Sequence, residues 1–93
     1  MPWQVYMLRL QNDCIYVGST EDLDRRWTEH QSGNGGKTTS DSRPVALIYL
    51  ESVTDGFETR KRERQLKRWS RAKKLALAKG HFDVLHRLAK RHG

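Results

Sequence analysis

The chain has 93 residues, which suffice for one small domain with a single hydrophobic core and exclude a second domain. Its 18 Lys and Arg against 11 Asp and Glu give a formal net charge of +7, so an acidic partner is expected. The single cysteine excludes an internal disulfide, no segment has the length and apolar character of a membrane span, and no signal peptide is recognisable; these features predict a cytoplasmic protein that does not contact a membrane.

The positive charge is concentrated in the last third of the chain. Residues 1–59 contain five Lys and Arg against nine Asp and Glu, a net charge of −4. Residues 60–93 contain thirteen against two, a net charge of +11. Such a basic segment is typical of a surface that binds a polyanion such as DNA or RNA, although a solvated helical surface has the same composition.

Two strands joined by a tight loop open the chain. Residues 3–10 and 14–18 are rich in aromatic and β-branched side chains, and Gln11-Asn12-Asp13 separates them. A three-residue hairpin loop needs one residue in the left-handed conformation, which Asn and Asp tolerate. This loop predicts that Leu10 pairs with Cys14.

The same register pairs Tyr6 with Gly18. Tyr6 and Tyr16 then lie on one face of the sheet as diagonal neighbours, within reach of each other. The missing side chain of Gly18 is expected to leave room for a ligand or for a close backbone approach.

A helix follows the hairpin and is predicted to run to about Gln31. Ser19 and Thr20 are candidate N-caps. The next acidic residues favour a helix N-terminus; they are Glu21, Asp22 and Asp24.

One face of this helix is predicted to turn toward the body of the protein. Three residues at helical spacing define that face: Leu23, Trp27 and His30. Arg26 lies beside them, whereas Arg25 points nearly the opposite way. Helical geometry therefore selects Arg26 as the arginine available to an internal site.

The middle of the chain combines a polar loop with an apolar strand. Residues 32–43 form a loop rich in Gly, Ser and Thr, of a length that is often functional. Pro44 precedes the strand Val45 to Leu50, whose continuous apolar run suits a central or well-covered position.

Three helices are predicted for the rest of the single domain, 1–93. A turn at Asp55-Gly56 leads into a long helix that runs through Glu58 to about Trp69. Ser70 can cap a second helix, 71–79, which Gly80 ends. The third, 81–92, has an apolar stripe formed by Phe82, Leu85, Leu88 and Ala89.

The chain resembles the GIY-YIG nuclease family, more narrowly its small stand-alone bacterial members, which are like the excinuclease-C catalytic domain. The order and spacing that carry the resemblance are those of Tyr6, Tyr16-Val17-Gly18, Leu23, Arg26, His30 and Glu63. The resemblance covers roughly residues 3–80. The first motif departs from the family pattern because it reads Gln4-Val5-Tyr6, without the leading glycine.

This resemblance implies an α+β fold, a three-stranded antiparallel sheet flanked by helices, and a nuclease site. The catalytic residues it implies are Tyr6, Tyr16, Arg26, His30 and Glu63. Glu63 would be the ligand of Mg²⁺ or Mn²⁺, since Mg²⁺ often needs only one or two protein carboxylates. Tyr6 would be the general base or orient the water, which requires its pKa to fall from about 10. Arg26 would contact phosphate oxygens.

Each of these residues also has a purely structural interpretation. Glu63 can pair with Lys67 one turn later, and Arg26 with Asp22 one turn earlier. His30 can be a partly buried helix histidine, and both tyrosines can simply pack on the sheet.

Basic side chains around the implied site are candidates for contacts to the nucleic-acid backbone without sequence preference. They are Lys37, Arg43, Arg60, Arg62, Arg64 and Lys67.

The sequence thus predicts a metal-dependent endonuclease acting on a nucleic acid, DNA in preference to RNA, in repair or recombination, as a monomer or weak homodimer. Two alternatives stay open. A non-catalytic nucleic-acid-binding module would bind DNA without cleaving it, and a protein-interaction module would use the apolar stripe of the last helix.

Overall fold

The computed structural model describes residues 2–33 and 42–80. The elements in chain order are β1 Trp3–Leu10, β2 Ile15–Thr20, α1 Leu23–Gln31, β3 Pro44–Val53, α2 Gly56–Lys67 and α3 Arg71–Lys79. Lys37 and the predicted helix 81–92 lie outside the described residues. The extent of the domain, 1–93, stays a prediction.

The N-terminal hairpin has the predicted register. Tyr6 pairs with Gly18, and the backbone N–H of Leu10 donates to the carbonyl of Cys14 at 2.9 Å. Asp13 has a φ of 68°, so it is the loop residue in the left-handed conformation. The hairpin prediction is confirmed, and β2 continues two residues further than expected.

The three strands form one antiparallel sheet in the order β2-β1-β3. The predicted α+β class is therefore confirmed, with β1 as the central strand. The expectation of a central or well-covered position for the third strand is wrong, because β3 is an edge strand that leaves Val45, Leu47 and Leu50 exposed. The side chains on the other face of β3 pack on the core, which accounts for the apolar residues in the strand.

The two faces of the sheet are covered by different helices. On one face, Leu23 and Trp27 of α1 pack on the even-numbered side chains of β1, which are Tyr6, Leu8 and Leu10. On the other face, Leu66 of α2 and Leu77 of α3 pack on Val5, Met7 and Val17. The sheet therefore separates α1 from α2, and a side chain of β2 faces one helix or the other according to its parity.

Caps fix where the helices begin and end. The N-cap of α1 is Asp22, whose carboxylate accepts from the N–H of Arg25, so the prediction of Ser19 or Thr20 as the cap is wrong. Ser70 caps α3, and Gly80 ends it with a φ of 74°, both as predicted. Among the described helices, none combines the length and the apolar character needed to cross a membrane.

Candidate active site

Two tyrosines and a histidine meet on the α1 side of the sheet. The hydroxyl oxygen of Tyr6 lies 2.8 Å from Nε2 of His30, and the ring centroids of Tyr6 and Tyr16 are 6.3 Å apart. The His30 ring meets Tyr16 edge-on at 5.2 Å. Tyr6 is 1% exposed, whereas Tyr16 is half-buried and is the phenol nearer to solvent.

Gly18 makes this packing possible. A Cβ atom at this position would lie 2.5 Å from the hydroxyl oxygen of Tyr6 and 2.6 Å from its Cζ, well inside van der Waals contact. The room predicted for a ligand is therefore filled by the Tyr6 ring. Any side chain at position 18 would push this tyrosine out of the cluster.

Helical geometry selects Arg26, as predicted. The Arg26 side chain is 29% exposed, against 70% for Arg25, and turns toward the cluster. Its guanidinium donates to Glu29 at 2.9 Å, so the acidic partner lies three residues later and not at Asp22. Arg25 contacts the same carboxylate at 3.4 Å from the solvent side.

Arg26 also hydrogen-bonds to both phenols. Burial lowers the pKa of Arg26, but the hydrogen bonds to Tyr6 and Glu29 outweigh burial and raise the pKa above its ordinary value. The guanidinium is thus a permanent positive charge next to two phenol oxygens. A phosphate at this place would meet this charge and would compete with Glu29 and the phenols for the N–H donors of Arg26.

The pKa values of the buried pair are shifted in opposite directions. Burial raises the pKa of Tyr6 to about 12, and the hydrogen bond from Arg26 offsets only part of that rise. Burial, and then the charge of Arg26, lower the pKa of His30. Burial and Arg26 together therefore do not supply the lowered pKa that a role of Tyr6 as general base requires. At neutral pH the phenol keeps its proton and His30 is neutral, so Tyr6 donates to Nε2 of His30.

Glu63 approaches from the other side of the sheet. It belongs to α2, and its carboxylate accepts from the hydroxyl of Ser19 at 2.7 Å and from Nζ of Lys67 at 3.1 Å. Ser19 pairs with Val5 and therefore faces α2, whereas its neighbour Gly18 faces the tyrosines. The negative charge of Glu63 still contributes to the raised pKa of Tyr6. Four of the five predicted catalytic residues thus lie together, and the fifth lies across edge strand β2.

An open cleft of about 540 Å³ at the edge of β2 joins the two sides. Ser19, the partner of Glu63, and Arg26 both line it. The remaining lining residues are Trp3, Thr20, Glu21, Asp22, Arg25 and Glu29; the tyrosines and Glu63 are not among them. Arg25 and Arg26 both line this cleft, and of the two only Arg26 also reaches the phenols.

The residues around Glu63 fit a weakly held divalent cation. In the described part of the chain, no three His, Cys, Asp or Glu side chains come together as a ready-made metal site. Glu63 offers one carboxylate, whose Oε1 accepts from the hydroxyl of Ser19. Mg²⁺ keeps several waters and combines one or two carboxylates with substrate phosphate oxygens, so this donor set is sufficient.

The predicted nucleic-acid contacts divide into free and engaged side chains. Arg60 and Arg64 are exposed on α2, without an ion pair to any acidic residue of the described segments. Arg62 turns inward instead, and its Nε and Nη2 donate hydrogen bonds to the carboxylate of Glu51. Lys67 is paired with Glu63.

Arg43 is engaged as well, because its guanidinium donates to the backbone carbonyl of Gln31 at the end of α1. Arg60 and Arg64 are therefore the strongest candidates for phosphate contacts.

Ser19 and Glu29 are residues of the site that were not predicted from the sequence. Ser19 was interpretable as a helix cap, although strand alternation offers a signal, since it is a polar residue at a core-facing position after Val17. For Glu29, the spacing of three from Arg26 allowed the pair but did not favour it over Asp22.

Comparison with known proteins agrees with the fold and the motif. A family profile described as the GIY-YIG catalytic domain matches residues 2–76. A UPF0213 protein of Syntrophus aciditrophicus is 43% identical over 76 residues, which cover 81% of this chain and 87% of that protein. A UPF0213 protein of Vibrio cholerae is 38% identical over 80 residues, 85% of this chain and 79% of the other. The solution NMR structure of a UPF0213 protein from Bacillus halodurans matches with a TM-score of 0.55 and 34% identity, covering 85% and 84% of the two chains. The chain therefore belongs to the GIY-YIG nuclease family, in the small stand-alone group of the UPF0213 proteins.

Proposed function

We propose that the protein is a divalent-metal-dependent endonuclease that hydrolyses phosphodiester bonds of DNA, with a role in repair or recombination. The observation that carries this proposal is the meeting of Arg26 with two phenols and a neutral imidazole beside an open cleft. A structural ion pair would need none of these partners. The basic surface of α2 supplies the attraction for a polyanion.

Hydrolysis requires a water to attack phosphorus while the bond to the leaving oxygen breaks. We assign Arg26 to hold two phosphate oxygens and to stabilise the charge that develops on them. Tyr16, the more exposed phenol, orients the water or the phosphate. These two residues need no change of protonation state.

The proton of the attacking water needs an acceptor. If Tyr6 is the general base, its own proton has to leave, since a pKa of about 12 keeps the phenol protonated at neutral pH. Nε2 of His30 lies 2.8 Å away, is unprotonated and can take that proton. A cation at Glu63 would supply charge neutralisation at the phosphate and the leaving oxygen.

Incubation of the purified protein with supercoiled plasmid and with branched DNA, each with Mg²⁺ or Mn²⁺, tests this function. We expect nicked or linear products that require the cation and disappear when EDTA is added. Intact DNA across both substrates and both cations would contradict the catalytic proposal. If the protein still bound DNA in a salt-dependent manner, the non-catalytic binding module would be the better description.

A second prediction concerns the side-chain contacts to DNA phosphates that contribute to binding. In a binding assay over a range of salt concentrations, we expect Arg64→Ala to reduce the slope of log K against log salt by about 0.9, the contribution of one phosphate contact on duplex DNA. Its melting temperature should be unchanged because the side chain is exposed and unpaired with any described acid.

Arg62→Ala is the matched control on the same helix. This substitution removes the same charge but leaves the half-buried carboxylate of Glu51 with the hydroxyl of Tyr49 and without its cationic partner, so we expect a loss of about 1–3 kcal/mol in unfolding free energy and little change in the salt slope. Equal effects of both variants on the slope would show that α2 attracts DNA only through its overall charge.

A further inference from the structure

The carboxylate of Glu63 is held asymmetrically. Oε1 accepts the hydroxyl proton of Ser19, and Oε2 contacts the ammonium of Lys67. Ser19 belongs to the sheet, is half-buried and has few conformations open to it. The Lys67 side chain is 54% exposed and lies one helical turn from Glu63, an arrangement that contributes little free energy.

The contact with Ser19 ties the helix to the strand that bears the second motif. Residues 19 and 63 are 44 positions apart, and their hydrogen bond links α2 to edge strand β2. Ser19 directly follows Gly18, which packs on Tyr6, and it lines the cleft together with Arg26. The hydroxyl therefore sets the position of the Glu63 carboxylate relative to both the tyrosines and the arginine.

We propose that Ser19 is a positioning residue for Glu63: its hydroxyl fixes Oε1, so that Oε2 is the oxygen presented to a divalent cation. This inference rests on the proposed metal-dependent function. A cation at Oε2 would take the place of the Lys67 ammonium, whose pairing with Glu63 is weak and exposed. The two neighbours of one carboxylate thus act in opposite directions on metal affinity.

Titration of the protein with Mn²⁺, followed by electron paramagnetic resonance of the free ion, tests this without substrate. We expect Ser19→Ala to weaken Mn²⁺ binding about ten-fold, as loss of a partner that orients a metal ligand does. Ser19→Thr keeps the hydroxyl and should restore wild-type affinity. Lys67→Met removes the competing ammonium and should tighten binding about two-fold. Ser52→Ala, in an exposed serine of β3, is the control and should bind like the wild type.

The outcomes separate the two levels of the proposal. If the wild type binds Mn²⁺ and Glu63→Gln does not, but Ser19→Ala binds as tightly as the wild type, the role of Ser19 is overturned and the metal site stands. If Mn²⁺ binding does not depend on Glu63, the metal site itself is overturned. Melting curves without metal show whether Ser19→Ala is folded. If Ser19→Ala is not folded, the test rests on Lys67→Met. Equal Mn²⁺ affinity of Lys67→Met and the wild type would overturn the exchange of the Lys67 ammonium for a cation at Oε2.

Discussion

Glu63→Gln is expected to lower metal-dependent cleavage on the order of a thousand-fold while DNA binding persists. Glutamine has nearly the same volume and keeps an oxygen that can accept from Ser19, so the helix should stay docked on β2. What it lacks is the negative charge that a divalent cation needs. The loss should therefore appear in the rate constant at saturating DNA, and not in the dissociation constant measured by fluorescence anisotropy.

Glu58→Gln is the matched control for this experiment. Glu58 lies on the same helix, is exposed, and offers only its backbone N–H to the cap at Asp55, so its carboxylate should be dispensable. Parallel purification of both variants also detects a contaminating nuclease, which would cleave equally in both. Cleavage by Glu63→Gln at the wild-type rate with Mg²⁺ would remove Glu63 from the site.

The secondary structure was accessible to the sequence because its signals are local. Asp13 in the hairpin loop, Ser70 before α3 and Gly80 after it each satisfy a backbone conformation that few residues tolerate. The cap of α1 was missed for the same reason, since Ser19, Thr20 and Asp22 are all good caps and only packing decides among them.

The order of the strands in the sheet could not be predicted from such local signals. The residues from Val45 to Leu50 are apolar on both faces of the strand, although only one face packs on the core and the other leaves Val45 and Leu47 exposed. An apolar run is typical of a strand that is covered on both faces. Which strands pair with it depends on contacts between residues that are far apart in the sequence. The edge position of β3 therefore needed the structure.

The geometry of the site was likewise predictable only where it follows from local signals. The register of the hairpin brings Tyr6 to Tyr16, and the period of the helix turns Arg26 inward, so these relations were predictable. The side of the sheet from which Glu63 approaches depends on how α2 docks, which no spacing within the helix determines. The raised pKa of Tyr6 likewise follows from burial in the assembled fold.

Arg26→Ala is expected to lower the cleavage rate about a hundred- to a thousand-fold, whereas Arg25→Ala should stay within about two-fold of the wild type. The two residues are adjacent and carry the same charge. They also share Glu29 as a partner, so each variant removes one positive charge and one ion pair to the same carboxylate. Only Arg26 reaches the phenols of Tyr6 and Tyr16.

Arg26→Lys sharpens the test because it keeps the charge and removes the planar donor pair. A lysine acts as a point charge and cannot contact two phosphate oxygens in parallel, so we expect it to recover little of the lost rate. The measurement is single-turnover cleavage of a defined DNA substrate, with melting curves to confirm folding. Equal losses for Arg25→Ala and Arg26→Ala would mean that the guanidinium acts at long range, and the cluster beneath Arg26 would then be a packing feature of the sheet.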